Sequence, residues 1–296
     1  MSPTRVHFGA PAPVGSAKGG AKYPFSMDVD FHDELTPTQR KAFREAVGRW
    51  LKVIVGGGPP VLAGGETVAG LLVLAKSENL ADKKGGLSAN TDLDVAALRG
   101  TAAGPTAHLP GKATITLDSI DMAVLDTAEA AAVGSAKTDI GRYRVDLIAH
   151  EIGHALGFSP AVWERKGLLK RNLSTRSPVF TGQAAAQAYG AALRTGPTPV
   201  PLEVFGDHEE FVGHWRQAIF HSELMTFMLE DRPNVIGPVT VAALQDLGYE
   251  VDPAGAQTTE VDFTGTAPVG PPPLTGIAAP AQLRDHRWIC CRVRVC

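Results

Sequence analysis

Apolar and polar residues alternate from Phe25 to Phe31, with Phe25, Met27, Val29 and Phe31 on one side and Ser26, Asp28 and Asp30 on the other. A period of two predicts a strand with one buried face. The period then lengthens. Phe43, Ala46, Val47, Trp50 and Ile54 recur at helical spacing behind Thr36-Pro37-Thr38-Gln39, which reads as a capping box with proline at the first helical position. Glycines and prolines at 56–60 end that helix. Residues 66–76 are apolar enough for a buried strand, and residues 77–111 are polar and Gly-rich, which predicts irregular structure with one further short strand. Alternation returns at 113–117 and runs into Asp118-Ser119-Ile120-Asp121, where the aspartates suit helix capping better than calcium binding. An Ala-rich helix is expected around 121–134 and a second around 142–156.

That second helix is unusual in its circumference. Val145, Leu147, Ile148, Ile152, Ala155 and Leu156 make it apolar almost all round, which predicts burial. Yet it carries His150, Glu151 and His154. Residues four apart share a helix face, so both imidazoles can address one metal ion, and the carboxylate beside the first can reach a water on it. Polar groups in a core need partners, and a metal supplies one. This is the His-Glu-x-x-His pattern of zinc peptidases, with the glutamate as general base. A surface helix with two ordinary histidines is the competing reading, and the apolar flanks argue against it. Gly157 suits a left-handed helix end, and Pro160 stops the helix continuing.

A catalytic zinc takes a third protein ligand and keeps a position open. The usual pattern places a histidine three residues after the glycine, and here Pro160 stands there. The third ligand must come from further along. His208, His214 and His221 are candidates, as are Glu164 and Glu203 for a site with two histidines and a glutamate.

Composition narrows the setting. The 296 residues suffice for one large domain or two lobes, and a net charge of −3 argues against a nucleic-acid partner. No apolar run is long enough to cross a bilayer. The first 20 residues are rich in Gly, Ala and Pro without a continuous apolar stretch, so no secretory signal peptide is visible and localisation stays open. All three cysteines, Cys290, Cys291 and Cys296, lie at the C-terminus, so the body of the chain has no disulfide and no thiolate metal site. Residues after Pro253 are rich in Pro, Gly and Thr and read as tail.

Several short motifs carry a resemblance. His214-Trp215 followed by Glu223-Leu224-Met225 resembles the leishmanolysin family of metzincin zinc peptidases, in which an insertion separates the glycine from the third histidine. Leu117-Asp-Ser-Ile-Asp121, Pro178-Val-Phe-Thr-Gly182, Val200-Pro-Leu-Glu203 and Ala243-Leu-Gln-Asp-Leu-Gly-Tyr249 are similar to it as well, so the likeness spans about residues 23–255 and is strongest from 143 to 249. The resemblance implies an α+β zincin. A mixed twisted sheet and two long helices would sit over a loop-rich C-terminal lobe, with zinc in the cleft between them. On that plan 23–157 and 158–255 are the two catalytic lobes, while composition makes residues 1–22 a flexible leader and 256–296 a disordered tail. It further implies His214 as third ligand beside His150 and His154, Met225 in a turn beneath the metal without ligating it, and protein or peptide substrates lying along an edge strand, for which 113–117 is the candidate. The implied activity is zinc-dependent endoproteolysis with Glu151 as general base; the alternative is a non-catalytic peptide-binding or adhesion module on the same scaffold. The chain lacks the many cysteines and anchoring signals of surface members, so it looks like a compact bacterial-type member. Extracellular placement is implied only by the resemblance.

Overall fold

The computed structural model describes residues 4–9, 23–80, 89–100, 104–171, 178–204, 212–258 and 293–295. Along the chain these form β1 (Thr4–Gly9), β2 (Ser26–Phe31), α1 (Pro37–Trp50), β3 (Ile54–Gly56), β4 (Val61–Ala63), β5 (Glu66–Val68), β6 (Leu71–Glu78), β7 (Ala89–Leu93) and β8 (Lys112–Asp118). Three helices follow, α2 (Ser119–Ala131), α3 (Ser135–Ala155) and α4 (Pro160–Arg165). The remainder contributes β9 (Leu169–Lys170), β10 (Val179–Phe180), α5 (Gln183–Leu193), β11 (Val200–Pro201), α6 (Gln217–Phe220), α7 (Pro238–Leu247), β12 (Glu250–Val251) and β13 (Val293–Val295).

The fold is mixed α+β. Its main sheet has the order β1-β2-β6-β8-β7-β13. β2, β6 and β8 run parallel, β7 is antiparallel to β8, and β1 is antiparallel to β2. Strand 113–117, expected at the sheet edge, is interior: β8 is hydrogen-bonded on both sides, and β7, the short strand within 77–111, lies outside it. The substrate-edge assignment to 113–117 is corrected accordingly. Burial explains it, because Ala113, Ile115 and Leu117 are buried together with Thr116, as an interior strand requires. Residues 4–9, expected within a flexible leader, pair with β2 from Thr4↔Phe31 to Gly9↔Ser26. The single strand expected over 66–76 is two, because a side chain at Gly70 would fall 1.7 Å from the Ser26 carbonyl oxygen and the chain turns there.

The helices form where the sequence placed their caps. Gln39 N–H donates to the Thr36 hydroxyl and the Gln39 side chain accepts from Thr36 N–H, completing the capping box. Asp118 caps α2 by accepting from the N–H groups of Ile120 and Asp121. α3 starts seven residues earlier than the apolar pattern predicts, since its first turns are polar; Gly134, at φ 66°, separates it from α2. Buried Arg144 ties the two helices together, reaching Asp126 at 2.8 Å and Glu129 at 2.5 Å. α1 lies along α3, and Trp50 Nε1 donates to the Ala149 carbonyl at 2.8 Å in the core. Arg49 meets Asp146 at 2.5 Å, and Asp146 also accepts from the backbone and side-chain N–H groups of Asn234, both at 3.1 Å. That one carboxylate therefore joins α1, α3 and the loop before α7. No helix among the described residues is long and apolar enough to cross a membrane.

Candidate metal centre

The C-terminal half of α3 is sealed from solvent: His150, Glu151 and His154 are all fully buried. Each helical imidazole is oriented by a backbone carbonyl. His150 Nδ1 lies 2.6 Å from Leu224 O, and His154 Nδ1 lies 2.5 Å from Phe158 O. A carbonyl can only accept, so both Nδ1 atoms carry the proton, and in the neutral ring each Nε2 is left with a lone pair. These Nε2 atoms face each other at 3.0 Å, and His214 Nε2 approaches that of His154 at 3.1 Å. Lone pair against lone pair is repulsive unless a cation intervenes. Protonation is not the remedy, because burial pushes His150 down to about 4 and His154, with two imidazole neighbours, well below its usual value. The donor set fits a metal. Nitrogens around a tetrahedral ion at about 2.1 Å are spaced about 3.4 Å apart, close to the separations seen. Among the described residues, His150, His154 and His214 are the group of three that could hold an ion.

His214 reaches this point through a lattice of loop hydrogen bonds. Its carbonyl accepts from Glu203 N–H at 2.9 Å, and the next residue, Trp215, donates its N–H to Met225 O at 2.9 Å. The turn at 223–225 therefore serves both regions: Leu224 O orients His150, and Met225 O holds the segment that bears His214. Glu223 fastens the turn. Its buried carboxylate accepts from Met225 N–H at 2.7 Å, from Gly237 N–H at 3.0 Å and from the Thr240 hydroxyl, which in turn accepts from Trp215 Nε1 at 2.7 Å. Burial pushes Glu223 up to about 7 against those donors. Beyond Trp215 lies an aromatic cluster. Trp163 stacks on Trp215 at 5.8 Å with 16° between planes, and Phe158 and Phe180 meet Trp215 edge-on.

Met225 is fully buried and packs against the helix between the two histidines. A Cβ on Gly153 would lie 2.3 Å from Met225 Sδ and 3.0 Å from the Trp50 ring, so only glycine lets the thioether and α1 approach there. Glu151 is contacted from the sheet: the Thr91 hydroxyl, on β7, meets its carboxylate and lies 3.2 Å from its carbonyl. Thr91, Gly153 and Thr240 were not singled out by sequence, and Glu223 entered only as part of the Glu223-Leu224-Met225 motif. A glycine inside a buried helix was a usable signal for Gly153, since that position costs helical stability and calls for a packing reason.

The other candidates lie elsewhere. Glu164 is held by Arg171 at 2.8 Å, and Glu203 accepts from the N–H groups of Gln217 and Val204. His221 lies 3.9 Å from Glu230, and His208 falls outside the described residues.

The leishmanolysin family model matches residues 116–261, a stretch that contains the three clustered histidines, Glu151 and Met225. The match starts within β8 and so covers less of the N-terminal half than the short motifs suggested. No curated protein matches the chain.

Proposed function

The chain is leishmanolysin-like over residues 116–261, and from that premise we propose that it is a zinc-dependent metalloendopeptidase of the metzincin type, with His150, His154 and His214 as zinc ligands and Glu151 as general base. The observation that carries the reading is the meeting of the three buried Nε2 atoms, two of them on rings whose Nδ1 protons are committed to carbonyls. When bound, zinc supplies a Lewis acid that brings the pKa of a water from about 15.7 to about 7 and polarises the scissile carbonyl. The chain's own groups do the rest. Leu224 O and Phe158 O fix the ring orientation of His150 and His154 and keep their Nε2 atoms unprotonated. Glu151 takes the proton of the attacking water and delivers it to the departing amine. The Thr91 hydroxyl holds the carboxylate in one orientation for that transfer. Met225 fills the space beneath the histidines and keeps it dry.

Zinc content and casein cleavage, measured side by side for wild type and Glu151→Gln, test the proposal. One zinc per chain in both, with cleavage reduced at least about 100-fold in the variant, is the expected result. Zinc in both and cleavage in neither would favour a non-catalytic peptide-binding module, and zinc in neither would remove the metal centre itself.

A further inference from the structure

The main sheet does not end at β7. Val293↔Thr91, Arg294↔Asp92 and Val295↔Leu93 pair in parallel, so three residues near the C-terminus form the strand outside it. The register is informative. Thr91 is the residue whose hydroxyl meets the Glu151 carboxylate, and Val293 is its direct partner. Adjacent strands lie about 4.8 Å apart, so the backbone of 293–295 runs one strand's width from the residue that touches the proposed base. An open sheet edge offers a row of N–H and C=O groups to any extended polypeptide, whatever its side chains. β7 is antiparallel to β8 and has its other edge turned outward, so an extended polypeptide recruited there would be delivered beside Glu151. In this chain that place is taken. The Val-Arg-Val sequence at 293–295 suits a strand by its β-branched residues, and a segment covalently tethered to the body competes at an effective concentration of about millimolar or less, depending on linker length.

The resemblance implies substrate lying along an edge strand, and we propose that β13 occupies the outer edge of β7 in cis as a competing strand which such a substrate must displace. The proposal rests on the peptidase reading for its consequence, slower turnover, but its central claim is about binding. Three paired residues make a short ladder. A longer unfolded segment extending along β7 past residue 293 forms more backbone hydrogen bonds and wins, whereas a short peptide does not. The inhibition is therefore selective for weakly engaging substrates.

The test uses full-length chains carrying Glu151→Gln, so that no turnover intervenes, with and without V293P/R294P/V295P. The prolines abolish all three N–H donors of β13 at the periphery of the sheet. Binding of fluorescein-labelled, reduced and carboxymethylated casein is read by anisotropy, and amide exchange at 90–93 by mass spectrometry. Casein binding is expected to tighten at least five-fold in the proline variant, with faster amide exchange at 90–93 before casein is added. The synthetic peptide Arg-Val-Arg-Val, added in excess, is expected to reverse the tightening. Unchanged affinity, or unchanged exchange at 90–93, overturns the proposal. Cleavage by chains with Glu151 intact is scored separately: tightening without any cleavage keeps the docking edge and removes the peptidase reading, and cleavage without tightening does the reverse.

Discussion

The three clustered imidazoles come from regions built in different ways. His150 and His154 are neighbours because a helix repeats; four residues of one element place both rings, and α3 is clamped to α1 and α2 by Trp50, Arg49 and Arg144. His214 lies 60 residues beyond His154, on a stretch with little regular structure, and is positioned by hydrogen bonds from the 203, 225 and 240 segments that converge through Glu223 and Trp215. The first arrangement is local and tolerant, since it survives wherever the helix survives. The second is a network in which each member depends on the others, and buried networks of this kind are costly to leave half satisfied. The difference predicts that the loop side is where the centre fails first.

Glu223→Ala breaks the comparison most sharply. It strands the N–H groups of Met225 and Gly237 and the Thr240 hydroxyl in the core, at about 1–3 kcal/mol for each buried group left unsatisfied, so a total loss of about 4 kcal/mol is expected in urea unfolding. Zinc affinity should fall with it, because His214 loses its support, while helix content by circular dichroism stays near that of wild type in the folded baseline.

The pH response separates the two regions by sign. His150 is depressed to about 4 in the fold from 6.5, so the stability it contributes to the metal-free chain is fully present above pH 6.5 and lost as pH falls toward 4, about 3 kcal/mol in all. Glu223 is raised to about 7 from 4.5, so its contribution is fully present below pH 4.5 and lost as pH rises through 7. Urea melts of the chelated protein from pH 4 to 8 should therefore show an acid limb that His150→Ala reduces, with His154 supplying the rest, and a neutral limb that Glu223→Gln flattens. An acid limb unchanged in His150→Ala would contradict the assignment.

Gly153→Ala probes the contact between the regions. The added methyl would collide with Met225 Sδ and crowd Trp50, and overpacking of this kind costs about 2 kcal/mol. The thermal midpoint should drop by a few degrees, with a measurable weakening of zinc binding as Met225 shifts. Trp215→Phe is the mildest change. It removes one buried hydrogen bond to Thr240 while the ring stack partly survives, and about 1 kcal/mol is expected in the same melts.

This contrast also explains what the sequence could and could not reveal. The helix side was legible because its information is local: the four-residue spacing of His150 and His154, the apolar circumference of α3, and the caps at Thr36 and Asp118 each need only a short window. His214 was not legible from spacing, since Pro160 occupies the position where a nearby ligand would sit, and only motif likeness around Trp215 and Met225 singled it out. β7 was expected only as an unplaced short strand within 77–111, because Asn90, Thr91 and Asp92 give it no apolar alternation. Its burial derives from α3 beneath and neighbours on both edges, which are tertiary facts. The same is true of the N-terminal strand β1, whose composition resembled a leader until β2 paired with it.

The stacked indoles of Trp163 and Trp215 have a consequence of a different kind. Two parallel chromophores 5.8 Å apart couple their electronic transitions, so the pair should give a split band in the far-ultraviolet dichroism. Trp215 is bonded in sequence to His214, and its ring is fixed by the same Thr240 that steadies Glu223. The chain thus carries a built-in optical gauge on the side of the site that lies off the helix, one that reads the geometry of that side without any added label.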